Sequence, residues 1–224
     1  MSAVYGPVEH AVRSEIYRLF VETAQAPSVE EVAEGVGLDV KEVGDAFDTL
    51  GQLRELVLRK GSRQISRALP FSASPTSYRV RVGSRDYWGS SAWDALGIPA
   101  AMEMEGEIRC DGFAGGDSVR MEIRDNRVLG DDVYMGFVVP ARRWWDDIGF
   151  TCSTIQFFNS EDHVERWEGE TQLTVGALLP LNRAWELARI WYHDRLNPDW
   201  RPKLRPELQG RLTWVGLMSE FWQL

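Results

Sequence analysis

The chain has 224 residues, 44% of them hydrophobic, and a formal net charge of -9. That length allows one large or two small globular domains with a buried core. No apolar run approaches the roughly 20 residues of a membrane-spanning helix, and residues 1–6 lack the pattern of an export signal. We therefore expect a cytoplasmic protein with no membrane partner. The acidic balance argues against nucleic acid as a partner, because such binding rests on Lys and Arg side chains that neutralise phosphates.

The numbers and positions of the cysteines and tryptophans limit which kinds of site the chain can form. The chain has only two cysteines, Cys110 and Cys152, and they do not form a CxxC pair. Two cysteines are too few for a disulfide framework or for a zinc ribbon. All ten tryptophans lie at or after Trp88. This concentration predicts a large aromatic core or an apolar binding cavity in the C-terminal part of the chain.

Three helices are predicted near the start of the chain. Apolar residues recur at helical spacing over residues 8–20. Ser28 and Glu31 have the spacing of a capping box ahead of a second helix that Gly37 ends, and Asp39 is placed to cap a third helix. A short strand that enters a turn follows at residues 56–62. Together these elements predict a winged-helix-like domain over residues 1–66.

A role in DNA binding is not favoured for this predicted domain. Residues 1–66 contain seven Lys or Arg against eleven Asp or Glu, and the helix that would read DNA exposes more carboxylates than cations. We expect a structural or lid role instead. Residues 67–75 contain two prolines and small polar residues, which is typical of a linker between domains.

The remaining residues, 76–224, mix both kinds of secondary structure, which predicts an α+β protein with a mixed α/β catalytic domain. Strands are predicted at residues 78–82, 104–109, 119–123, 135–139 and 151–158. Helices are predicted at residues 87–96, ended by Gly97 and Pro99, and at residues 161–168, 181–196 and 206–222.

Several separated blocks resemble one enzyme family. Residues 70–100 (PFSASPTSYRVRVGSRDYWGSSAWDALGIPA), 139–164 (VPARRWWDDIGFTCSTIQFFNSEDHV) and 185–196 (WELARIWYHDRL) are similar, in order and spacing, to the catalytic domain of alkylmercury lyases. The resemblance continues to Phe221 and Trp222. It implies a lyase that cleaves the carbon–mercury bond of organomercurials in detoxification. The winged-helix-like start also suits that family.

The resemblance also implies which residues act. In the family, two cysteines and one aspartate cut the bond, and the first cysteine stands three positions before the aspartate on one helix. By that pattern the aspartate corresponds to Asp94, and the second cysteine, on a strand before a Phe-Phe pair, corresponds to Cys152. The first cysteine's position falls on Ser91, and Cys110 corresponds to a structural cysteine.

Soft-metal chemistry gives each of these residues a role. Hg(II) prefers thiolate over oxygen ligands, so Cys152 is predicted to capture the organomercurial. Asp94 can then protonate the carbon if its carboxyl group begins protonated, a state that apolar surroundings favour by raising its pKa. Ser91 can supply only a weak oxygen ligand or a hydrogen bond. We therefore expect slow cleavage, or cleavage that depends on an external thiol.

Two questions stay open from the residues alone. No cofactor is required if mercury enters as part of the small-molecule substrate. The partners would then be external thiols or a mercury-accepting reductase. An O, O, S set at Ser91, Asp94 and Cys152 could instead hold copper or another divalent ion. A diverged member could also use these three residues for a different lyase or proton-transfer reaction on a small organic substrate.

Overall fold

The computed structural model describes residues 5–111, 118–130 and 132–224, so residues 112–117 and 131 of the predicted catalytic domain lie outside the described part. The fold is α+β, as predicted. Its helices are α1 (Pro7–Thr23), α2 (Val29–Val36), α3 (Val40–Gln52), α4 (Ala92–Met102), α5 (Ile148–Thr154), α6 (Glu161–Thr171), α7 (Leu181–Tyr192) and α8 (Arg205–Trp214). Short 3-10 turns occur at Ala141–Arg143 and Glu220–Trp222.

The second helix begins and ends, and the third begins, where the sequence signals stand. The Ser28 side chain accepts a hydrogen bond from the Glu31 backbone N–H at 3.2 Å, and the Glu31 carboxylate accepts one from the Ser28 N–H at 2.7 Å. Gly37 ends α2 with a φ of 68°, and Asp39 caps α3. The first three helices precede an antiparallel sheet of β1 (Val57–Leu58), β2 (Ile65–Ala68) and β3 (Phe71–Ser72). The winged-helix assignment itself stays a prediction.

The segment at residues 67–75, predicted as a linker, contributes to this sheet and to the core. It contains the end of β2 and all of β3, and Phe71 is 1% exposed. The Phe71 ring stacks on Phe20 of α1 at 5.4 Å between ring centroids. Prolines and serines favour irregular structure, but burial of the Phe71 ring against α1 stabilises a strand in this segment. The division into domains at residues 1–66, 67–75 and 76–224 stays a prediction.

The largest sheet is antiparallel and has the strand order β5-β4-β6-β7-β8. Its strands are β4 (Tyr78–Val82), β5 (Arg85–Trp88), β6 (Gly106–Cys110), β7 (Val119–Arg124) and β8 (Arg127–Leu129). Along β4, Tyr78, Val80 and Val82 are buried and alternate with arginines, as expected for a strand with one face on the core.

The helix predicted at residues 87–96 is misplaced. Residues Arg85–Trp88 form β5, which pairs with β4 across a turn at Gly83, and α4 then runs from Ala92 to Met102 through both Gly97 and Pro99. Ten of its eleven residues are buried. Because α4 packs most extensively against α7, tertiary burial outweighs the tendency of Gly and Pro to end helices.

A third sheet has β9 (Tyr134–Phe137) between β10 (Gln156–Phe158) and β11 (Ala177–Pro180). The strand predicted at residues 151–158 is therefore only half correct, and Cys152 lies on helix α5 rather than on a strand. Asp147 caps α5 by accepting a hydrogen bond from the Phe150 N–H at 2.9 Å. The Thr151 hydroxyl donates to the Trp144 carbonyl oxygen at 3.1 Å, so this β-branched residue is accommodated in a helix. No described helix is long and apolar enough to span a membrane.

Candidate active site

A cavity of about 370 Å³ opens between the segment that follows α3 and helices α4, α5, α7 and α8. Its buried end contains Ser91, Asp94 and Cys152, which are 1%, 2% and 5% exposed. The structure thus brings together all three residues that the sequence nominated. Aromatic side chains form much of the wall: Trp93, Trp144, Trp145, Trp191, Tyr192 and Trp200. Of the two outcomes that the tryptophan content predicted, an aromatic core or an apolar cavity, the structure has tryptophans around a cavity.

Ser91 and Asp94 form a closed hydrogen-bonded unit at the start of α4. Ser91 is the N-cap residue, and its Oγ accepts a hydrogen bond from the Asp94 N–H at 3.1 Å. The same hydroxyl donates to Asp94 Oδ2 at 2.8 Å. Ser91 therefore stabilises the helix and orients the carboxyl group, in the standard geometry of an N-cap serine.

The other carboxyl oxygen of Asp94 is held from α7, by a residue that the sequence analysis did not nominate. The Tyr192 hydroxyl donates to Asp94 Oδ1 at 2.6 Å, and both groups are buried. Tyr192 stands within the block at residues 185–196 that carries the resemblance. A tyrosine on a buried helix face needs a partner for its hydroxyl, which was the signal available in the sequence.

Cys152 approaches Asp94 because the end of α5 is tied to the start of α4. The Ala92 N–H donates to the Ile155 carbonyl oxygen at 3.1 Å, and the Tyr78 hydroxyl contacts the same carbonyl oxygen at 3.2 Å. This connection holds the last turn of α5 beside the first turn of α4. The Cys152 thiol and the Asp94 carboxyl group are close enough to perturb each other's pKa through hydrogen bonding and charge.

Burial shifts both pKa values upward. Desolvation raises the pKa of Asp94 to about 6, and the hydrogen bonds from Tyr192 and Ser91 offset only part of that effect. The positive charge of Arg67 lowers it further by a smaller amount. Desolvation, followed by the negative charge of Asp94, raises the pKa of the Cys152 thiol well above its ordinary value. The raised pKa keeps the proton on the Cys152 thiol at neutral pH, and Asp94 titrates closer to neutral pH than an ordinary aspartate.

The tryptophans pack around Trp93. Its ring centroid lies 5.0 Å from that of Trp144 and 5.0 Å from that of Trp191, and the rings are tilted or edge-on, as aromatic pairs prefer. The Trp93 Nε1 is buried and has no acceptor among the described residues. The wall of the cavity thus combines a large apolar surface with one unused hydrogen-bond donor.

The remaining candidates lie outside this constellation. Cys110 is buried at the end of β6, where desolvation raises the pKa of its thiol to about 12, and it does not line the cavity. Asp147 caps α5 and Asp146 pairs with Arg143 at 3.1 Å, and both carboxylates are exposed. Within the described residues, no group of three or more His, Cys, Asp or Glu side chains is arranged to hold a metal ion.

An α+β fold around a mostly apolar cavity with a few convergent polar groups is typical of an enzyme that acts on small molecules. The sequence model of one family, "MerB: Alkylmercury lyase", matches residues 71–193, which is more than half of the chain. The chain therefore belongs to the alkylmercury lyase family, a family of enzymes.

Two individual comparisons agree with this assignment. An alkylmercury lyase of Staphylococcus epidermidis (strain ATCC 12228 / FDA PCI 1200) is 26% identical over 164 residues, which are 72% of each protein. A solved structure described as the mercury-bound form of MerB2 has a TM-score of 0.69 and 20% identity, and the match covers 87% of this chain and 93% of that one. The structural match extends the shared fold beyond the residues of the family model.

Proposed function

We propose that this protein cleaves the carbon–mercury bond of organomercurials, with Cys152 as the thiol that captures mercury and Asp94 as the group that protonates carbon. The observation that carries the proposal is that these two buried side chains line the same closed end of an aromatic cavity. Such a cavity suits an apolar organic group on mercury and excludes water from the reacting atoms. We expect the enzyme to act in the cytoplasm, where small thiols are kept reduced.

The pKa values indicate where the reacting proton comes from. An Asp94 with a pKa of about 6 is mostly ionised near neutral pH, whereas Cys152 keeps its proton. In this proposal Asp94 begins as a carboxylate, whereas the sequence alone led us to expect that it begins protonated. When R–Hg–X binds, the thiol proton moves to Asp94, sulfur forms a bond to mercury, and X⁻ leaves. The thiol is thereby activated by an adjacent base.

The second step uses the same proton. Asp94 transfers it to the carbon atom bonded to mercury, the carbon–mercury bond breaks, and the hydrocarbon R–H departs. Asp94 is a carboxylate again, Hg(II) stays on the Cys152 thiolate, and the X⁻ released in the first step, or an external thiolate, binds as its second ligand. The net change is R–Hg–X and one thiol giving R–H and a mercury thiolate, so no oxidant or reductant is needed. Proton transfer by a positioned group of suitable pKa is general acid catalysis.

Ser91 positions Asp94 in this proposal and does not bind mercury. Its hydroxyl already donates to Asp94 and accepts from the helix backbone, and a serine oxygen is a poor ligand for a soft ion. The protein thus supplies one sulfur, and a second must come from an external thiol. Thiols, or a protein that accepts mercury, are then needed to remove the product from Cys152.

The same contacts weigh against a resident copper or other divalent ion. Such an ion would need the Ser91 hydroxyl and the Asp94 carboxylate as oxygen ligands, yet these groups bind each other, and Tyr192 occupies the second carboxyl oxygen. We propose that mercury enters only with the substrate. The alternative, a different lyase or proton-transfer reaction on a small organic substrate, would use the same three residues and is separated by the assay below.

The test measures benzene released from phenylmercury in the presence of excess 2-mercaptoethanol. We expect turnover by the wild type, loss of turnover in Cys152→Ala, and retention in the matched control Cys110→Ala. Ser91→Cys should increase turnover because it adds a second thiol to the same helix end. Benzene release by Ser91→Cys but not by the wild type would reject the proposal in favour of the alternative reaction.

A further inference from the structure

Positive charge is concentrated around the cavity, although the chain as a whole carries a net charge of -9. Two of the lining residues are acidic, Glu55 and Asp94, and Asp94 lies at the buried end. Five are basic: Arg54, Arg195, Lys203, Arg205 and Arg211. The local sign is therefore opposite to that of the whole molecule.

The acidic partners of these cations are too few to neutralise them. Lys203 and Arg211 share one carboxylate, that of Asp194, at 2.9 and 2.7 Å. Arg195 shares Glu55 with the buried Arg13, at 3.1 and 3.6 Å. Each of these two clusters has two cations and one carboxylate, so each keeps a net charge of one positive unit. The positive charge around the cavity therefore remains after these ion pairs are counted.

Two further cations have no side-chain partner at all within the described part of the chain. Arg54 follows α3 and Arg205 begins α8, and both are exposed, whereas the residues around Cys152 are buried. The exposed lining residues mark the outer end of the cavity. The cavity thus runs from a cationic outer end to an aromatic inner end that contains the thiol.

We propose that the outer end of this cavity binds a carboxylate of the ligand while its mercury or sulfur atom lies near Cys152. An arginine guanidinium pairs with a carboxylate through two parallel hydrogen bonds, and unpartnered arginines at a cavity entrance attract anions. The carboxylate has two sources: the organic group on mercury, or the external thiol that removes the product. The second of these sources, the external thiol, rests on the proposed function.

The first arm of the test does not require turnover. In a Cys110→Ala background, mercury capture by Cys152 is followed by quenching of tryptophan fluorescence, with 4-carboxyphenylmercury compared with phenylmercury. Each rate is divided by the rate with free cysteine, to remove intrinsic reactivity. We expect the carboxylated reagent to be captured roughly tenfold faster at low salt, an advantage that falls as salt screens the charges.

The variants locate the effect. Arg54→Gln combined with Arg205→Gln should abolish the advantage of the carboxylated reagent. The control Arg85→Gln removes an exposed arginine of β5 that does not line the cavity, and it should keep the advantage. Equal normalised capture of both reagents by the wild type, together with no thiol preference in the second arm, would overturn the proposal. An advantage that survives in the double variant would overturn it as well.

The second arm distinguishes the source of the carboxylate. Turnover of phenylmercury is compared with 3-mercaptopropionate and with 2-mercaptoethanol, at equal thiolate concentration. A preference for the anionic thiol that the double variant loses assigns the site to the thiol, and a preference seen only in capture assigns it to the organic group. Preferential capture of the carboxylated reagent without benzene release would reject the proposed function and support the carboxylate site. Benzene release with no preference in capture or for the anionic thiol would support the proposed function and reject the carboxylate site.

Discussion

Tyr192 and Asp94 stand 98 positions apart in the chain, and their side chains meet in a buried hydrogen bond of 2.6 Å. The bond joins α7 to α4. Because Ser91 donates to the other carboxyl oxygen at 2.8 Å, the carboxyl group is fixed by hydroxyls from two separate elements. These two donors favour the carboxylate and limit how far burial raises its pKa.

The proposed reaction should therefore have a pH dependence that Tyr192 controls. Activity needs one proton on the pair, a thiol on Cys152 beside a carboxylate on Asp94. We expect kcat/KM for phenylmercury to rise through the Asp94 pKa of about 6 and to stay high at neutral pH. Tyr192→Phe removes one donor to the carboxylate, so the rise should move to higher pH.

A control variant separates this effect from general loss of a tyrosine hydroxyl. The Tyr87 hydroxyl donates to the Val21 carbonyl oxygen at 2.7 Å, away from the cavity. Tyr87→Phe should leave the midpoint of the pH profile where it is in the wild type. An unmoved midpoint in Tyr192→Phe would contradict the role assigned to this hydrogen bond.

The raised pKa of Asp94 also makes stability depend on pH. Its native pKa of about 6 lies above the ordinary value of 3.8, so the native state favours the protonated form. This contribution to stability is complete below the ordinary pKa and is lost as pH rises through the native pKa. The two values differ enough that the loss amounts to about 3 kcal/mol.

Asp94→Asn removes this titration while keeping the shape of the side chain. The free energy of unfolding of the variant, relative to that of the wild type, should increase by about 2 kcal/mol between pH 4 and pH 7, because part of the full change lies below pH 4. Urea denaturation at a series of pH values measures the difference directly. A difference that stays constant with pH would show that Asp94 titrates normally in the native state.

Ser91 and Ser90 offer a matched pair of adjacent buried hydroxyls. Ser91 caps α4 and binds Asp94, whereas the Ser90 Oγ has no hydrogen-bond partner among the described residues. Ser91→Ala should lower the free energy of unfolding by about 1 kcal/mol through loss of the cap. Ser90→Ala should be neutral or slightly stabilising, because an unsatisfied buried hydroxyl is removed. Equal losses in the two variants, measured by urea denaturation, would argue against the capping role.

Local signals in the sequence predicted those parts of the fold that local contacts determine. The capping residues Ser28 and Asp39 stand where their helices begin, and the alternation along β4 matches its buried face. Such signals depend on hydrogen bonds or periodicity within a few residues. They fail for α4, because a helix buried on all sides has no polar face to reveal its period.

The candidate site was located by resemblance, and its geometry depends on tertiary contacts. Nothing in local spacing connects Asp94 with Cys152; tertiary contacts bring them together, among them the hydrogen bond from the Ala92 N–H to the Ile155 carbonyl oxygen. The helical placement of Cys152 was missed because its β-branched neighbours favour a strand. Tyr192 and the cationic outer end were missed as well, since both arise from elements far apart in the chain.

Gly97, in the middle of α4, permits the contact between Tyr192 and Asp94. A Cβ atom at this position would lie 2.5 Å from Cδ2 of the Tyr192 ring and 3.0 Å from Cβ of Pro70. Gly97→Ala should therefore displace the tyrosine, lower the free energy of unfolding by about 1 to 3 kcal/mol, and move the acid limb of activity to higher pH, as Tyr192→Phe does.

Gly169 provides the comparison, because it also lies within a helix, α6, but is exposed, and a Cβ atom at this position would have no neighbouring atom within 4 Å. Gly169→Ala should raise the free energy of unfolding by about 0.5 to 1 kcal/mol, since alanine loses less conformational freedom in a helix. Urea denaturation of both variants, with the pH profile of Gly97→Ala, measures these outcomes. If Gly97→Ala were as stable as Gly169→Ala and kept the wild-type profile, close packing on Gly97 would not be what holds Tyr192 against Asp94.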